Sequence, residues 1–389
     1  MTDLFQALTP SARGLPESGI VKVFNYGRTR EGLIPLWAGE GDKPTPDFIC
    51  DAAARSLSSG ETFYTYQRGR PEVREALAEY FTELYERPFS AETFFLTCGG
   101  LHALQLAMQL TVGEGDEVIV PSPAWPNFEG AIQSRGAQTV HVSMEFTSDG
   151  WMLDPQRIAD AITPRTRAIC INSPSNPTGW VASEADLRDI LAVARRHRLW
   201  IIADEIYGRF HDGIGVAPSF QSMREDDDQI LFVQTFSKNW AMTGWRMGWL
   251  QAPEALGQAI ENLIQYNTSG VPTFQQPAAI AALIEGCAFA DGEIARAAAG
   301  RDIVSAALAD RNDVKFAAPR GAFYLFFGIE GERDSLATAL KLVDEANIGL
   351  APGSAFGSDG EGYLRLCYLR SPDQLREAMN RLTTWLSAR

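Results

Sequence analysis

The chain has 389 residues, and its 34 lysines and arginines stand against 49 aspartates and glutamates, which gives a net charge of −15 at pH 7. Because nucleic acids and anionic membranes favour a basic protein surface, this charge argues against either as the main partner, while small basic pockets for anions remain allowed. Apolar residues make up 45% and charged residues 21%, which is typical of a folded globular protein, and the length suits one large domain with a smaller one.

The first 45 residues contain several glycines and prolines and show little periodicity. We expect residues 1–45 to form a segment that packs on the smaller domain and over the active site. The N-terminus lacks the apolar core of a signal peptide, and no uncharged apolar run approaches the ~18 residues of a membrane span. The sequence therefore predicts a cytoplasmic location.

Helix-like and strand-like segments alternate from about residue 70 to residue 290. Helical periodicity is clearest in residues 71–84, 100–112 and 184–198. Short β-rich runs lie around them: DEVIV, AQTVHVSM, RAICINS, LWIIADE, QILFVQT and MGWLQA. Strands that are apolar on both faces and joined through helices indicate a mostly parallel sheet covered on both sides. We assign residues 46–289 to this large domain.

The pattern changes near residue 290. A helix (DGEIARAAAGRDIVSAALADR) is followed by the strand-like runs VKFAAP, GAFYLFFGI and GYLRLCYL and by an amphipathic last helix. The predicted fold class is therefore α/β: a large domain with a mostly parallel central sheet flanked by helices, and a smaller α+β domain over residues 290–389.

Polar residues that do not suit a core follow three of the predicted strands. Asn176 follows RAICI, Asp204 and Tyr207 follow LWIIA, and Lys238 follows QILFVQ. Ligands bind at the carboxyl ends of the strands in such sheets, so these four residues predict a site. The five cysteines form no CxxC pair and the chain has four histidines, so we expect reduced thiols and no metal site.

Three of these segments carry a resemblance to a known family. NSPSNPTG (172–179), DEIYGRF (204–210) and SKNWAMTGWRMGW (237–249), in this order and spacing, resemble the class I/II aminotransferases, which are pyridoxal-phosphate (PLP) enzymes of fold type I. Further similar segments extend over nearly the whole chain, among them FYTYQRGRPEVREAL, TCGGLHAL, PSPAWPNF, GAFYLF, APGSAFG and GYLRL.

The resemblance implies a role for each candidate residue. Lys238 would form the internal aldimine with PLP and act as the general acid/base, with Asp204 at the ring nitrogen and Tyr207 and Asn176 at the phenolic oxygen. Cofactor binding is implied for Gly99, Gly100, Leu101, Trp125, Asn176, Asp204, Tyr207, Thr235, Ser237, Lys238, Arg246 and Tyr64. Substrate binding is implied for Gly39, Trp125, Asn176 and Arg365, with Arg365 on the α-carboxylate.

The resemblance also implies a homodimer, because Tyr64 corresponds to the tyrosine that reaches the phosphate in the neighbouring subunit. Arg370, five residues after Arg365, is predicted to be an ordinary surface arginine. The chain departs from the family pattern in the Gly-Gly-Leu of its phosphate turn and in Phe128, where many relatives have tyrosine. Phosphate binding at that turn would then depend mainly on backbone donors.

The implied reaction is ping-pong transamination between an L-amino acid and a 2-oxo acid through a pyridoxamine-phosphate intermediate, with aspartate and 2-oxoglutarate as the first pair to consider. An aspartate side chain would need a second cation, for which Arg28, Arg30, Arg68 and Arg70 are candidates. Alternatives are an aromatic or other amino-acid aminotransferase, a PLP-dependent C–S β-lyase, and a non-catalytic PLP-sensing regulator domain. A nicotinamide-dependent enzyme is disfavoured, because no G-x-G-x-x-G follows an early strand.

Overall fold

The computed structural model describes residues 4–389, so residues 1–3 of the predicted N-terminal segment lie outside the described residues. The helices are α1 Pro10–Gly14, α2 Gly19–Gly27, α3 Asp47–Ser58, α4 Pro71–Tyr85, α5 Gly100–Thr111, α6 Pro126–Gln133, α7 Pro155–Asp160, α8 Glu184–His197, α9 Gly257–Gln265, α10 Gln276–Glu285, α11 Cys287–Leu308, α12 Ser335–Ala346 and α13 Pro372–Ser387. The strands are β1 Ile34–Pro35, β2 Phe94–Thr97, β3 Glu117–Ser122, β4 Gln138–Ser143, β5 Glu145–Thr147, β6 Gly150–Met152, β7 Thr166–Asn172, β8 Trp200–Asp204, β9 Ile230–Thr235, β10 Gly248–Gln251, β11 Val314–Lys315, β12 Tyr324–Ile329, β13 Ile348–Gly349, β14 Ala351–Pro352 and β15 Tyr363–Cys367.

The central sheet has seven strands in the order β2-β10-β9-β8-β7-β3-β4. The neighbours from β9 to β4 are parallel, whereas β10 is antiparallel to both β9 and β2. The predicted α/β fold with a mostly parallel sheet is therefore confirmed. The sequence patterns missed β2, whose four residues FFLT are all buried and are too short for their periodicity to separate a strand from a buried helix.

The two faces of the sheet pack against different helices. Along β8, Ile202 belongs to the apolar cluster that contains Leu104 of α5. Ile201 and Ala203 instead share a cluster with Leu187 of α8. Successive side chains of a strand point to opposite faces, so this alternation requires an apolar residue at every position. That requirement explains why LWIIA carries no polar residue before Asp204.

A second sheet of four antiparallel strands, in the order β11-β12-β15-β14, lies in the C-terminal part of the chain. Helix α11 runs without interruption from Cys287 to Leu308, so the predicted boundary between residues 289 and 290 falls inside a helix. The break in the helical pattern comes earlier, at Gly286 between α10 and α11. The division into domains at residues 45/46 and 289/290 remains a prediction.

The N-terminal segment is attached to the C-terminal part of the chain. Strand β1 pairs in parallel with β13, through Ile34 beside Ile348, and α2 packs against α12 and β14. Across residues 4–389, none of the helices combines the length and the apolar character that crossing a bilayer would need.

Candidate active site

Polar residues from three strand ends meet at one edge of the central sheet. β7, β8 and β9 are parallel neighbours, with Asn172 beside Asp204 and Asp204 beside Val233, so their carboxyl ends open on the same side. Asn176 follows β7, Asp204 ends β8, and Lys238 follows β9. All three line a cavity of about 330 Å³.

The amine of Lys238 points into this cavity. Its Nζ donates a hydrogen bond of 2.7 Å to the carbonyl oxygen of Gly39 and lies 5.7 Å from the centroid of the Tyr207 ring. Burial lowers the pKa of the Lys238 ammonium to about 8, and it outweighs the opposite effects of Cys367 and Glu40. A substantial neutral fraction is therefore present near pH 8, which a nucleophilic amine requires.

The carboxyl group of Asp204 is buried, with 2% of the residue exposed. Burial raises its pKa to about 7, against the smaller lowering effects of the Ile206 amide and the Lys238 charge. The Ile206 N–H donates to Asp204 Oδ1 at 3.4 Å, and within residues 4–389 no arginine or lysine forms an ion pair with this carboxyl group. A cationic group bound in the cavity would therefore restore its charged form.

We expect Asp204→Asn to stabilise the cofactor-free protein at pH 8. The pKa of Asp204 rises from 3.8 to about 7 on folding, so the folded state binds more protons than the unfolded chain between these values. Stability contributed by the protonated group is complete below pH ~4 and is lost as the pH rises to ~7. Asparagine does not ionise, so the variant avoids this loss. Its free energy of unfolding should exceed that of the wild type by about 2–4 kcal/mol at pH 8 and by little at pH 4.5.

Urea unfolding of the cofactor-free protein at both pH values measures this gain. Asp373→Asn is the matched control, because that carboxylate lies on the surface at the start of α13 and should change stability little at either pH. A loss of stability in Asp204→Asn at pH 8 would contradict the proposed burial of an uncompensated charge.

Two tyrosines and a glycine form one wall of the cavity. The hydroxyl groups of Tyr207 and Tyr324 are 2.7 Å apart, and burial raises the pKa of Tyr207 well above its usual value. A Cβ atom at Gly39 would lie 2.3 Å from the Tyr324 hydroxyl oxygen. Any larger residue at position 39 would therefore displace a hydroxyl group that lines the cavity.

Arg365 is a buried cation without a matching anion. It is 3% exposed; its Nη1 donates to Asn176 Oδ1 at 2.9 Å and its Nη2 donates to the carbonyl oxygen of Trp37. Within residues 4–389, the Nε of Arg365 has no hydrogen-bond partner and no carboxylate forms an ion pair with its guanidinium. Because an uncompensated buried charge is costly, this arrangement favours binding of an anion.

A second group of anion-binding features lies at the start of α5. Gly99 has φ +88°, and a Cβ atom there would lie 2.5 Å from Arg246 Nη2, so only glycine lets the arginine approach. Gly100 and Leu101 open the helix, where backbone N–H groups lack intrahelical acceptors. Thr235 and Ser237 lie beside it, with 2.9 Å between their hydroxyl oxygens.

Arg246 completes this anion-binding end. It has φ 53°, a conformation that costs a non-glycine residue about 1–3 kcal/mol. Its Nη1 donates to the Thr243 carbonyl oxygen at 2.7 Å, and among the described residues it forms no ion pair. A strained residue that presents an unpaired guanidinium is consistent with a binding role.

Trp125 and Tyr64 have different positions. Trp125 lines the cavity and packs edge-on against the buried Phe128 at 5.7 Å, so position 128 supports the tryptophan through its ring. Tyr64 is 94% exposed and lies beside residues 268–274, away from the cavity. Of the predicted site residues, Tyr64 is the one that the structure of a single chain does not bring to the site.

The main-chain stretch 35–41 connects three cations. The carbonyl oxygens of Trp37 and Gly39 accept from Arg365 and Lys238, as described above. Those of Pro35 and Gly41 accept from Arg370 at 3.1 and 3.2 Å. The prediction that Arg370 is an ordinary surface arginine is therefore wrong, because its guanidinium is half-buried against this stretch.

Several residues that line the cavity were not identified from the sequence. Tyr324 lies within GAFYLF, one of the segments that carried the resemblance, and its position in that segment was the available signal. The others are Ile20, Trp37, Ala38, Asn127, Asn172, Ile206 and Val233. Asn172 accepts from the Asn176 N–H at 2.8 Å and donates to the Asp204 carbonyl oxygen at 3.1 Å, so it holds two of the predicted residues in place.

Comparisons with known proteins give a consistent result. The family profile described as Aminotransferase class I and II matches residues 31–382. An aspartate aminotransferase of Thermotoga maritima is 34% identical over 92% of this chain and 93% of its own length. An aromatic-amino-acid aminotransferase of Thermococcus litoralis is 33% identical over 97% of both chains.

A solved structure shares the whole architecture. That of a Thermus thermophilus aspartate aminotransferase single mutant superposes with a TM-score of 0.90 at 32% identity, and it covers 97% of this chain and 99% of the other.

Proposed function

Because this chain belongs to the class I and II aminotransferases, we propose that the cavity beside Lys238 is its catalytic centre. The chain is a PLP-dependent transaminase, aspartate aminotransferase-like, whose substrates are an amino acid and a 2-oxo acid. The predictions of the family, of the cofactor and of PLP-dependent transamination are thereby confirmed. The roles of individual residues are our proposal.

The observation that carries these roles is the set of charged groups around one cavity. Within residues 4–389, Asp204 is a buried carboxyl group without a cationic partner, and Arg365 is a buried cation without a carboxylate partner. In the same part of the chain Arg246 forms no ion pair, and the Lys238 amine is partly neutral near pH 8. Such groups are costly to fold unless ligands complete them, and they require a ligand with a cationic nitrogen and separate anionic groups.

These residues fit pyridoxal phosphate. Asp204 would bind the ring nitrogen, Tyr207 and Asn176 the phenolic oxygen, and Trp125 one face of the ring. The phosphate would lie against the start of α5, Thr235, Ser237 and Arg246. The chemistry that the bound cofactor would supply is an electron sink for the pair released from the donor's Cα–H bond and a carrier for the amino group.

Two further groups act on the substrate in this proposal. Arg365 binds the donor's α-carboxylate in place of the Trp37 carbonyl oxygen, and this contact orients Cα towards Lys238. Lys238 Nζ takes the proton from Cα as a general base and, as a general acid, would deliver it to the C4′ carbon of the cofactor. Because Gly39 has no side chain, it leaves space for the substrate to contact both Arg365 and Lys238.

We further propose that the working unit is a homodimer in which Tyr64 reaches the phosphate of the partner's site. Support comes from the exposure of Tyr64 in a loop that also exposes Phe63 and Tyr66, with Tyr266 nearby. A cluster of exposed aromatic rings indicates an interface. A second copy of the chain is the partner that this arrangement fits.

Product stoichiometry tests the proposed reaction against the C–S β-lyase alternative. Holoenzyme mixed with an accepted amino acid and no oxo acid should release one 2-oxo acid per site without ammonia, as the visible absorbance of the bound cofactor falls. Adding a 2-oxo acid should restore the absorbance. Continuous release of pyruvate and ammonia from a β-thio amino acid, in excess of the number of sites, would support the lyase and contradict our proposal.

A further inference from the structure

We propose that the preferred amino donor has an apolar side chain, which binds against Ile20, Leu101 and the main chain of Trp37. We call these three residues the side-chain wall. The proposal rests on the proposed function, because it takes the cavity to be the catalytic centre. It makes Ile20 and Leu101 specificity-determining residues.

The side-chain wall is what remains of the cavity lining once its charged groups have been assigned. Arg365 is assigned to the α-carboxylate and Arg246 to the phosphate, and Lys238 and Asp204 to the cofactor. The rest of the lining toward α2 and the start of α5 is uncharged: Ile20, Trp37, Ala38, Leu101 and Asn127. Leu101 is 36% exposed, so its side chain is available to a ligand.

The side-chain wall lies next to the carboxylate site. The carbonyl oxygen of Trp37 accepts from Arg365, and α2, which carries Ile20, packs against β14, the neighbour of β15 that carries Arg365. A donor held by its α-carboxylate on Arg365 would therefore extend its side chain towards these apolar residues.

Three of the four arginines that could bind an acidic side chain are already paired elsewhere. Arg30 bonds to Asp344 at 2.7 Å. Arg68 pairs with Glu92 and Glu261, and Arg70 pairs with Glu61 and Glu72 at 3.1 and 3.3 Å. If Arg68 or Arg70 reached the neighbouring subunit's site in a dimer, its ion pairs with these glutamates would move with it. Neither arginine would then offer an unpaired charge to a substrate.

The fourth arginine lies too far from the side-chain wall. Arg28 is at the C-terminal end of α2, eight residues beyond Ile20, which is about 12 Å along a helix axis. None of the four lines the cavity. A side-chain carboxylate at the wall would lose its hydration without gaining a cation.

The consequence is a preference that kinetics can measure. An apolar side chain such as that of phenylalanine or leucine gains by leaving water, so kcat/KM should exceed that for aspartate by about 10- to 100-fold. The 2-oxo acid enters the same cavity, and the same argument favours an acceptor with an uncharged side chain, such as pyruvate, over 2-oxoglutarate.

Single-turnover kinetics of the holoenzyme with phenylalanine, leucine, methionine, aspartate and glutamate provide the test. A higher kcat/KM for aspartate or glutamate than for all three apolar donors would overturn the proposal, while transamination itself would stand. If no donor loses its amino group, the proposed function fails instead, so the two failures can be told apart.

Ile20→Arg tests the side-chain wall directly. A cation there should raise the aspartate to phenylalanine ratio of kcat/KM at least about tenfold. Val21→Arg is the matched control, because it adds the same charge to the next residue of α2, which is 48% exposed; it should leave the ratio unchanged. Equal ratios in the two variants would overturn the assignment of Ile20.

Inhibition of the wild-type holoenzyme keeps the proposal testable if Ile20→Arg does not fold. Both 3-phenylpropionate and succinate carry a carboxylate for Arg365, and they differ in the group that reaches the wall. The inhibition constant should be lower for 3-phenylpropionate. A lower constant for succinate would overturn the proposal.

Discussion

Replacing Lys238 by alanine should abolish transamination. The substitution removes the amine that holds the cofactor and the group that moves the Cα proton, and general acid–base catalysis alone supplies up to about 10⁴-fold in rate. We expect a loss of kcat of about that size, measured by coupled assay. Borohydride reduction should fix the cofactor to the Lys238 peptide in the wild type and to no peptide in the variant, as seen by mass spectrometry.

Lys341→Ala is the matched control for this substitution. Lys341 lies on α12 and its contact with Glu345 is a surface ion pair at 3.9 Å, so its loss should change activity and stability little. Retention of more than a tenth of kcat in Lys238→Ala, or attachment of the cofactor to that variant, would show that another residue holds the cofactor.

Lys238→Ala also tests whether Tyr64 contributes to the site of the neighbouring subunit. Tyr64→Phe should lower cofactor affinity by about 10- to 100-fold, as expected for one hydrogen bond to a charged group. A hybrid dimer of one Tyr64→Phe subunit and one Lys238→Ala subunit contains one site with an intact lysine and the partner's intact tyrosine. Cofactor affinity at that site should equal the wild-type value, whereas a tyrosine acting within its own subunit would restore no site.

Replacing Arg365 by lysine should lower kcat/KM for the amino donor. Truncating one partner of a buried, hydrogen-bonded charge pair costs about 2–5 kcal/mol, or about 30-fold to several thousand-fold. Lysine keeps the charge but loses the planar pair of donors that matches a carboxylate, so we expect the lower half of this range. Cofactor affinity should stay within about threefold, because Arg365 lies away from the phosphate end.

Arg376→Lys, on the exposed face of α13, is the control for this change and should behave as the wild type. If kcat/KM in Arg365→Lys fell less than threefold, or if cofactor affinity fell as much as kcat/KM, the α-carboxylate would not be the ligand of Arg365.

The sequence was most informative where the chemistry follows a strand. Asp204 ends β8, and Asn176 and Lys238 follow the ends of β7 and β9 within four residues. Parallel strands bring such ends together at one edge of the sheet. Local pattern and spacing were sufficient to predict that these residues share a site. Local pattern was also sufficient to predict helix α4, which begins at Pro71, and the buried strands β7, β8 and β9.

Contacts between distant segments were not predictable. Tyr324 reaches Tyr207 across 117 positions of the chain, and nothing near either residue specifies the other. Arg370 looked like a surface residue because its acceptors are main-chain oxygens, 329 and 335 positions away. Every residue has a main-chain carbonyl group whatever its side chain, so a single sequence cannot reveal which carbonyl group an arginine contacts.

Within the stretch 35–41, the carbonyl groups that accept from Arg370, Arg365 and Lys238 belong to residues 35, 37, 39 and 41. An extended chain would separate residues 35 and 41 by about 20 Å, but here the chain bends at residues 38–40, so both ends of the stretch contact the guanidinium of Arg370. Deleting one residue would turn the following carbonyl groups away from their cations, whereas many substitutions would leave the contacts intact. During evolution the length of this stretch should therefore be conserved more strictly than its composition.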